Sequence, residues 1–213
     1  MKPQSCCVIF AAIACLLYTC GTTGPTAGSE TTNGVSVTVA ASSISGSTSP
    51  DATVMLFDAA RKPDDTGAVA DTIAAGPDGT FAFESLPPGT YNVFVYPPDS
   101  LMGAVVPAVA VGANDTGSDS ARFDTTASVS GLVYRDGLAA QSARVYIPGS
   151  PFVTSADTDG GFMLDQVPRA RYTIVADLVT RTYGVAYADS QTIDVGPSRK
   201  GNTFVTLTLD TIQ

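Results

Sequence analysis

From residue 35 onward, apolar and polar positions alternate with the two-residue period of strands rather than the 3.6-residue period of helices. In Thr80-Phe81-Ala82-Phe83-Glu84 both phenylalanines fall on one face, and in Tyr91-Asn92-Val93-Phe94-Val95 that face is Tyr91, Val93 and Val95. A pleated strand sends alternate side chains to opposite sides, so each set forms part of one core wall. Pro77-Asp78-Gly79, Thr158-Asp159-Gly160 and Leu86-Pro87-Pro88-Gly89 interrupt the alternation with turn chemistry, because Gly and Asp tolerate positive φ and Pro presets its own. Seven strands are expected near 35–40, 53–58, 69–74, 80–84, 90–96, 105–111 and 121–125. Seven more are expected near 128–134, 143–147, 152–156, 161–164, 171–177, 183–195 with a break, and 203–210.

The pattern repeats. Asp78-Gly79-Thr80-Phe81-Ala82-Phe83 returns 81 residues later as Asp159-Gly160-Gly161-Phe162-Met163-Leu164. The same offset carries Leu86-Pro87 onto Val167-Pro168 and Tyr91-Asn92-Val93 onto Tyr172-Thr173-Ile174. Val109, Val111, Gly112 and Gly117 match Ile193, Val195, Gly196 and Gly201 at 84, and Ala52-Thr53-Val54 matches Ala143-Arg144-Val145 at 91. Shifts of offset are differences in loop length, the largest lying around 61–69 of the first copy. One register across separate landmarks marks a duplication. The expected fold is all-β, with two tandem seven-stranded Greek-key β-sandwiches over 35–125 and 126–213, joined near Thr125 and Thr126.

The first residues read differently. Met1-Lys2-Pro3 opens a short basic start, 6–17 is an apolar run too short to span a bilayer comfortably, and Leu17-Tyr18-Thr19-Cys20 follows. Residues 1–19 are therefore expected to be a secretory signal peptide, and the cysteine after the apolar run resembles a bacterial lipobox. That resemblance implies a lipid on Cys20, and Gly21 after it implies the outer membrane. Of four cysteines, Cys6, Cys7 and Cys15 lie in the signal, so the mature chain keeps Cys20 alone, which cannot staple a domain. Acyl chains add about 0.8 kcal/mol per buried methylene, enough for a stable membrane anchor when several are present. Residues 20–34, rich in Gly, Thr and Ser, cannot bury enough surface to order themselves and are expected to be a flexible tether reaching about 20 Å.

Residues 72–93, read as T-I-A-A-G-P-D-G-T-F-A-F-E-S-L-P-P-G-T-Y-N-V, resemble the carboxypeptidase regulatory-like, or transthyretin-like, domain. Its hallmarks are a threonine-rich strand, an acid-glycine turn, Phe-x-Phe, Leu-Pro-Pro-Gly-x-Tyr and an apolar strand. The second copy keeps the Asp-Gly turn, Phe162, Val167-Pro168 and Tyr172, with Arg169 and Ala170 in place of Pro-Gly. The resemblance implies prealbumin-like sandwiches, a fold shared with carbohydrate-binding modules, and it brings no catalytic residues. Phe81, Phe83, Tyr91, Phe162 and Tyr172 then read as core or corner residues, the two tyrosines bonding backbone through their hydroxyls as at a tyrosine corner.

Composition narrows the chemistry. Histidine and tryptophan are absent, which removes a Ser-His-Asp triad, a histidine metal site and a tryptophan sugar platform. Twenty acids against eleven bases give a net charge of −9, which disfavours nucleic acid, and no cofactor is expected. Residues 31–125 hold eleven acids and three bases, whereas 126–213 hold eight acids and seven bases. Arg169 and Arg171, joined by Arg144, Arg181 and Arg199, are candidates to face the acidic first copy or an acidic partner. Asp157-Thr158-Asp159-Gly160 is half of a calcium loop without a downstream Glu and reads as a hairpin turn. Lys62 and Lys200 lie outside the first strands, so no Lys–Asn isopeptide crosslink is expected, and Asp64-Asp65 reads as a solvated loop rather than an acid–base pair. Tyr96, Tyr134, Tyr146, Tyr183 and Tyr187 are the candidate ligand-facing aromatics, because a phenol offers an apolar face and a hydrogen bond to a sugar. The sequence therefore points to a cell-envelope binding or structural module that is not an enzyme. Its partners would be the membrane and an envelope protein or a glycan, the alternative being an adhesive, carbohydrate-binding surface lipoprotein.

Overall fold

The computed structural model describes residues 33–112, 114–179, 186–196 and 202–211. The signal segment, Cys20, most of the tether, Tyr183, Arg181 and Arg199 lie outside the described residues.

All regular structure among the described residues is β. In the N-terminal half, β1 (Gly34–Ala40), β2 (Ser43–Ser47), β5 (Thr80–Phe83) and β8 (Thr116–Arg122) form a sheet in the order β5-β2-β1-β8. The second sheet is β4-β3-β6-β7-β9, from β3 (Thr53–Asp58), β4 (Ala70–Ala74), β6 (Gly89–Tyr96), β7 (Met102–Val111) and β9 (Asp124–Thr125). The sheets face one another across a core drawn from both: Val35, Val37, Val39, Ile44, Phe81 and Phe83 from the first, Val54, Leu56, Tyr91, Val93, Val95 and Val106 from the second. Period-two burial in β5, where Phe81 and Phe83 point in while Thr80 and Ala82 point out, is what the sequence alternation requires.

The C-terminal half contains β10 (Ala127–Arg135), β11 (Leu138–Ala139), β12 (Arg144–Tyr146), β13 (Val153–Ser155), β14 (Gly161–Val167), β15 (Arg171–Val179), β16 (Ala186–Asp194) and β17 (Asn202–Thr211). Seven of them run β11-β10-β17-β16-β15-β12-β13, with β14 beside β10. Val129, Val133, Phe162, Leu164, Val205, Leu207 and Leu209 meet Val145, Ile174, Ala176 and Ile193 in its core. Among the described residues the halves thus carry nine and eight strands rather than seven each. The three extra strands are short or weakly apolar: β11 has two residues, β2 (SISGS) holds Ile44 as its one large apolar residue, and the strand expected at 121–125 is split between the end of β8 (TGSDSAR) and the two-residue β9.

Hydrogen bonding repeats in detail. The Gly76 N–H donates to Thr80 and the Asp157 N–H to Gly161; Thr48 donates to Gly79 and Val133 to Gly160; Tyr91 Oη donates to Pro87 O and Tyr172 Oη to Pro168 O. These pairs show that β10 corresponds to β2, not to β1, although both β1 and β10 open their copies. Gly46 faces Phe81 in register and Gly131 faces Phe162, and a Cβ on either glycine would fall within 3 Å of that ring. In the C-terminal half β10 pairs directly with β17, in parallel. In the N-terminal half β1 is inserted between β2 and β8 and pairs antiparallel with both, which leaves β2 and β8 running in the same direction.

Candidate functional site

The outward face of the β3-β6-β7 sheet is unusually apolar. Residues that alternate away from the first core are Met55 and Phe57 on β3, Asn92, Phe94 and Tyr96 on β6, and Val105 on β7. Phe57, Phe94 and Val105 are buried, and they belong to the apolar cluster of the C-terminal half. Phe94 meets Phe57 and Phe152 edge-on, with ring centroids 6.1 and 5.7 Å away.

The segment 147–152 plugs this face. Pro148 and Pro151 stiffen it, while Ser150 Oγ donates to Ile147 O at 2.6 Å and accepts from Phe152 N at 3.1 Å, folding the loop on itself. Gly149 lies between, at φ +63, where its N–H donates to Arg61 O at 2.8 Å and its carbonyl accepts from Asn92 Nδ2 at 2.9 Å. A Cβ there would stand 2.5 Å from Ala59 O, so both the conformation and the close approach call for glycine. Asn92 Oδ1 accepts from Ala108 N at 3.0 Å, which fixes the amide that holds the loop.

Charged groups ring the apolar seam. Arg144 bonds Asp177 of its own half through two nitrogens, at 3.0 and 2.7 Å, and Asp64 of the long loop in the other half. Its guanidinium lies over the Tyr146 ring, 5.2 Å from the centroid. Hydrogen bonding to Asp177 pushes the Arg144 pKa up, so the cation is permanent. Arg169 Nε donates to Thr125 O at 3.0 Å and Nη1 lies 3.3 Å from Asp124. Tyr96 Oη donates to Gln166 O at 3.2 Å, and burial pushes its pKa up.

These contacts place the candidate residues one by one. Tyr96 and Arg169 belong to the seam, and Arg144 with Asp64 joins them; Asp64 stays exposed in its loop, as expected, and also pairs with Arg144. Arg171 does not reach the other half: it pairs with Asp194 at 2.8 Å on an exposed edge, and each holds the other in its charged form. Tyr146 is buried, with its pKa pushed up to about 12 by burial and then by Asp177, so it is a core residue rather than a ligand platform. Tyr187 pairs through its backbone with Leu178 and Thr211. Tyr134 is half-buried on the outward face of β10. Tyr96, Tyr134 and Tyr146 do not converge on one surface. In the Asp157 turn, Oδ1 accepts from Asp159 N and Gly161 N, so that carboxylate closes the hairpin.

An exposed aromatic not among the candidates lies on the same outward face as Tyr134, four positions along the strand pair. Phe204 is 65% exposed and Met163 56% exposed, and both stand in register with Ser130, so they share one outward face with it. The signal was present in Val205-Thr206-Leu207-Thr208-Leu209, whose alternation puts Phe204 on the threonine side.

Two clefts of about 360 and 340 Å³ flank the seam, one between Asn92, Pro107, Pro148 and Arg171, the other between Met55, Tyr96, Phe152 and Gln166. No family model matches the sequence, and no curated protein matches it. Among solved structures, the chain is similar to GBS52, the minor pilin of Streptococcus agalactiae, at TM-score 0.34 and 11% identity over 79% of this chain and 86% of that one. BcpA, the major pilin subunit of Bacillus cereus, gives 0.34 and 11% over 85% of this chain, which spans 61% of BcpA. A shaft pilin SpaA variant from Lactobacillus rhamnosus GG gives 0.31 and 12%, over 79% of this chain and 90% of that one. At such scores the overlap extends to β-rich architecture and no further.

Proposed function

We propose that the protein is a lipid-anchored, non-catalytic structural and binding module of a bacterial cell envelope, of the outer membrane. It is built from two tandem prealbumin-like Greek-key sandwiches of the carboxypeptidase regulatory-like type, 35–125 and 126–213, carried behind a signal peptide and a tether. The observation that supports a structural role is the seam: Phe94, 1% exposed, comes from the first half and is buried in the apolar cluster of the second. A hinge between the halves would need a junction free to open, whereas this one is filled with aromatic rings and ringed by hydrogen bonds. The anchor rests on Cys20 following the apolar run. Intact mass of the membrane fraction tests it: a lipid-sized mass increment on the wild type that disappears in Cys20→Ser supports the anchor, and an unmodified wild type removes it.

A second reading, glycan adhesion, is favoured by the outward β10-β17 face, where Tyr134 and Phe204 stand among Ser128, Ser130, Thr206 and Thr208. Tyrosine fluorescence titrated with soluble oligosaccharides, for wild type and Phe204→Ala, separates the two readings.

A further inference from the structure

At one end of the N-terminal half the two facing sheets stay apart. There the part of β7 beyond its two-residue pairing with β9 neighbours the edge strand β8 with no backbone register between them, whereas in the C-terminal half β16 and β17 pair through Tyr187 with Thr211 and Ala188 with Asp210. The inward residues differ too. β17 sends Val205, Leu207 and Leu209 into its core, all buried. β8 sets Gly117, Asp119 and Ala121 opposite Val39, Val37 and Val35. Paired residues of an antiparallel ladder share a face, so a glycine and an aspartate occupy positions where a filled core would carry aliphatic side chains.

The space they leave is a cleft of about 340 Å³ between β1, β7 and β8, floored by the buried Val37, Val39 and Val109. A Cβ built on Gly117 meets nothing within 4 Å. The volume is at the low end of the roughly 300–1,000 Å³ of ligand sites, enough for a few aliphatic side chains. Asp115 and Asp119 are the charged residues lining it, both exposed, and neither takes part in an ion pair among the described residues. The surrounding half, 31–125, carries eleven acids and three bases.

We propose that this cleft binds an extended peptide segment of a partner protein in which lysines alternate with aliphatic residues. Period two sends the aliphatic side chains over Val37, Val39 and Val109 and directs the lysines to the rim, where Asp115 and Asp119 supply the complementary charge. The unpaired stretches of β7 and β8 that border the gap offer main-chain donors and acceptors, as in strand addition to a sheet edge. This site is independent of the anchor and of the glycan face.

The probe is a fluorescein-labelled Lys-Val-Lys-Val-Lys-Val-Lys peptide, followed by anisotropy on the full-length protein, with the Glu-Val counterpart as control. Saturable binding of the lysine peptide alone is expected. Gly117→Val fills the cleft and should weaken binding at least tenfold. Asp119→Asn, which keeps the acceptor for Ser120 N, should weaken it severalfold and flatten its salt dependence. Melting temperatures of both variants should match the wild type, because one side chain enters open space and the other is isosteric. Absence of saturable binding, equal binding of the two peptides, or wild-type affinity in Gly117→Val overturns the proposal; if Gly117→Val melts early, Asp119→Asn alone decides.

Discussion

Tyr91 and Tyr172 show how one residue holds the same corner twice. Each ring is buried and each hydroxyl donates to the carbonyl of the proline four residues earlier, at 2.6 and 2.8 Å. The Tyr172 bond is fully buried and the Tyr91 bond partly so. Tyr172→Phe strands a carbonyl away from water and should cost about 1–3 kcal/mol in urea unfolding, and Tyr91→Phe less. Burial raises the pKa of Tyr91, Tyr96, Tyr146 and Tyr172. The unfolded chain loses these protons near pH 10 while the folded one keeps them, so stability intact below that pH falls as pH rises beyond it. Tyrosinate absorbance should therefore rise in two phases, the second coinciding with loss of the circular dichroism signal; one phase near pH 10 with the fold intact would contradict the burial. Ser85 and Gln166, 81 residues apart, both sit at left-handed φ, 58 and 56°, ahead of Leu86-Pro87 and Val167-Pro168. Because the unusual conformation occurs in both copies, it belongs to the fold and not to a ligand site, even though Gln166 borders a cleft.

At the scale of elements, the strongest alternations were the most legible. Strands β3, β5, β6 and β15 were visible in the sequence because each has two or more large apolar residues at period two. β2 and β8 were not, since Ser, Gly and Asp carry no pattern and their places are decided by the neighbours they pair with. The repeated motifs were also legible, but which strand matched which was not: the correspondence of β2 with β10 lies in Gly46 and Gly131, whose role depends on rings far along the chain. Gly131→Ala sets a methyl 2.0 Å from Val205 O and 2.7 Å from the Phe162 ring. It should lower stability by about 1–3 kcal/mol as an overpacking change, measured by thermal melting, whereas Gly137→Asn, at a turn open to solvent, should leave it nearly unchanged.

For the whole molecule the junction was the least legible part. Sequence reading noted the charge contrast and Arg144 and Arg169, but assigned Tyr96 and Tyr146 to ligand binding, because a tyrosine in a strand reads the same whether it faces solvent, a core or another half. The seam couples the halves, so wild-type unfolding should be a single transition. Gly149→Val forces a side chain into Ala59 and a non-glycine residue into positive φ, a local penalty of about 1–3 kcal/mol placed outside both cores. Two resolved calorimetric transitions and a longer maximum dimension in solution scattering are expected from it; one unchanged transition would show that the seam is not the coupling element.

The inserted strand has a mechanical consequence. Tension entering at the start of β1 and leaving past β8 pulls on Gly34 and Arg122, which are directly opposite one another, so their ladder opens bond by bond like a zipper. In the other half the load enters β10 at Ala127 and leaves β17 at Thr211, and because these strands are parallel their eight paired positions must slide past one another together. The two halves are therefore a weak link and a strong one in series, and under a steady pull the half nearer the N-terminus lengthens first while the distal half stays folded.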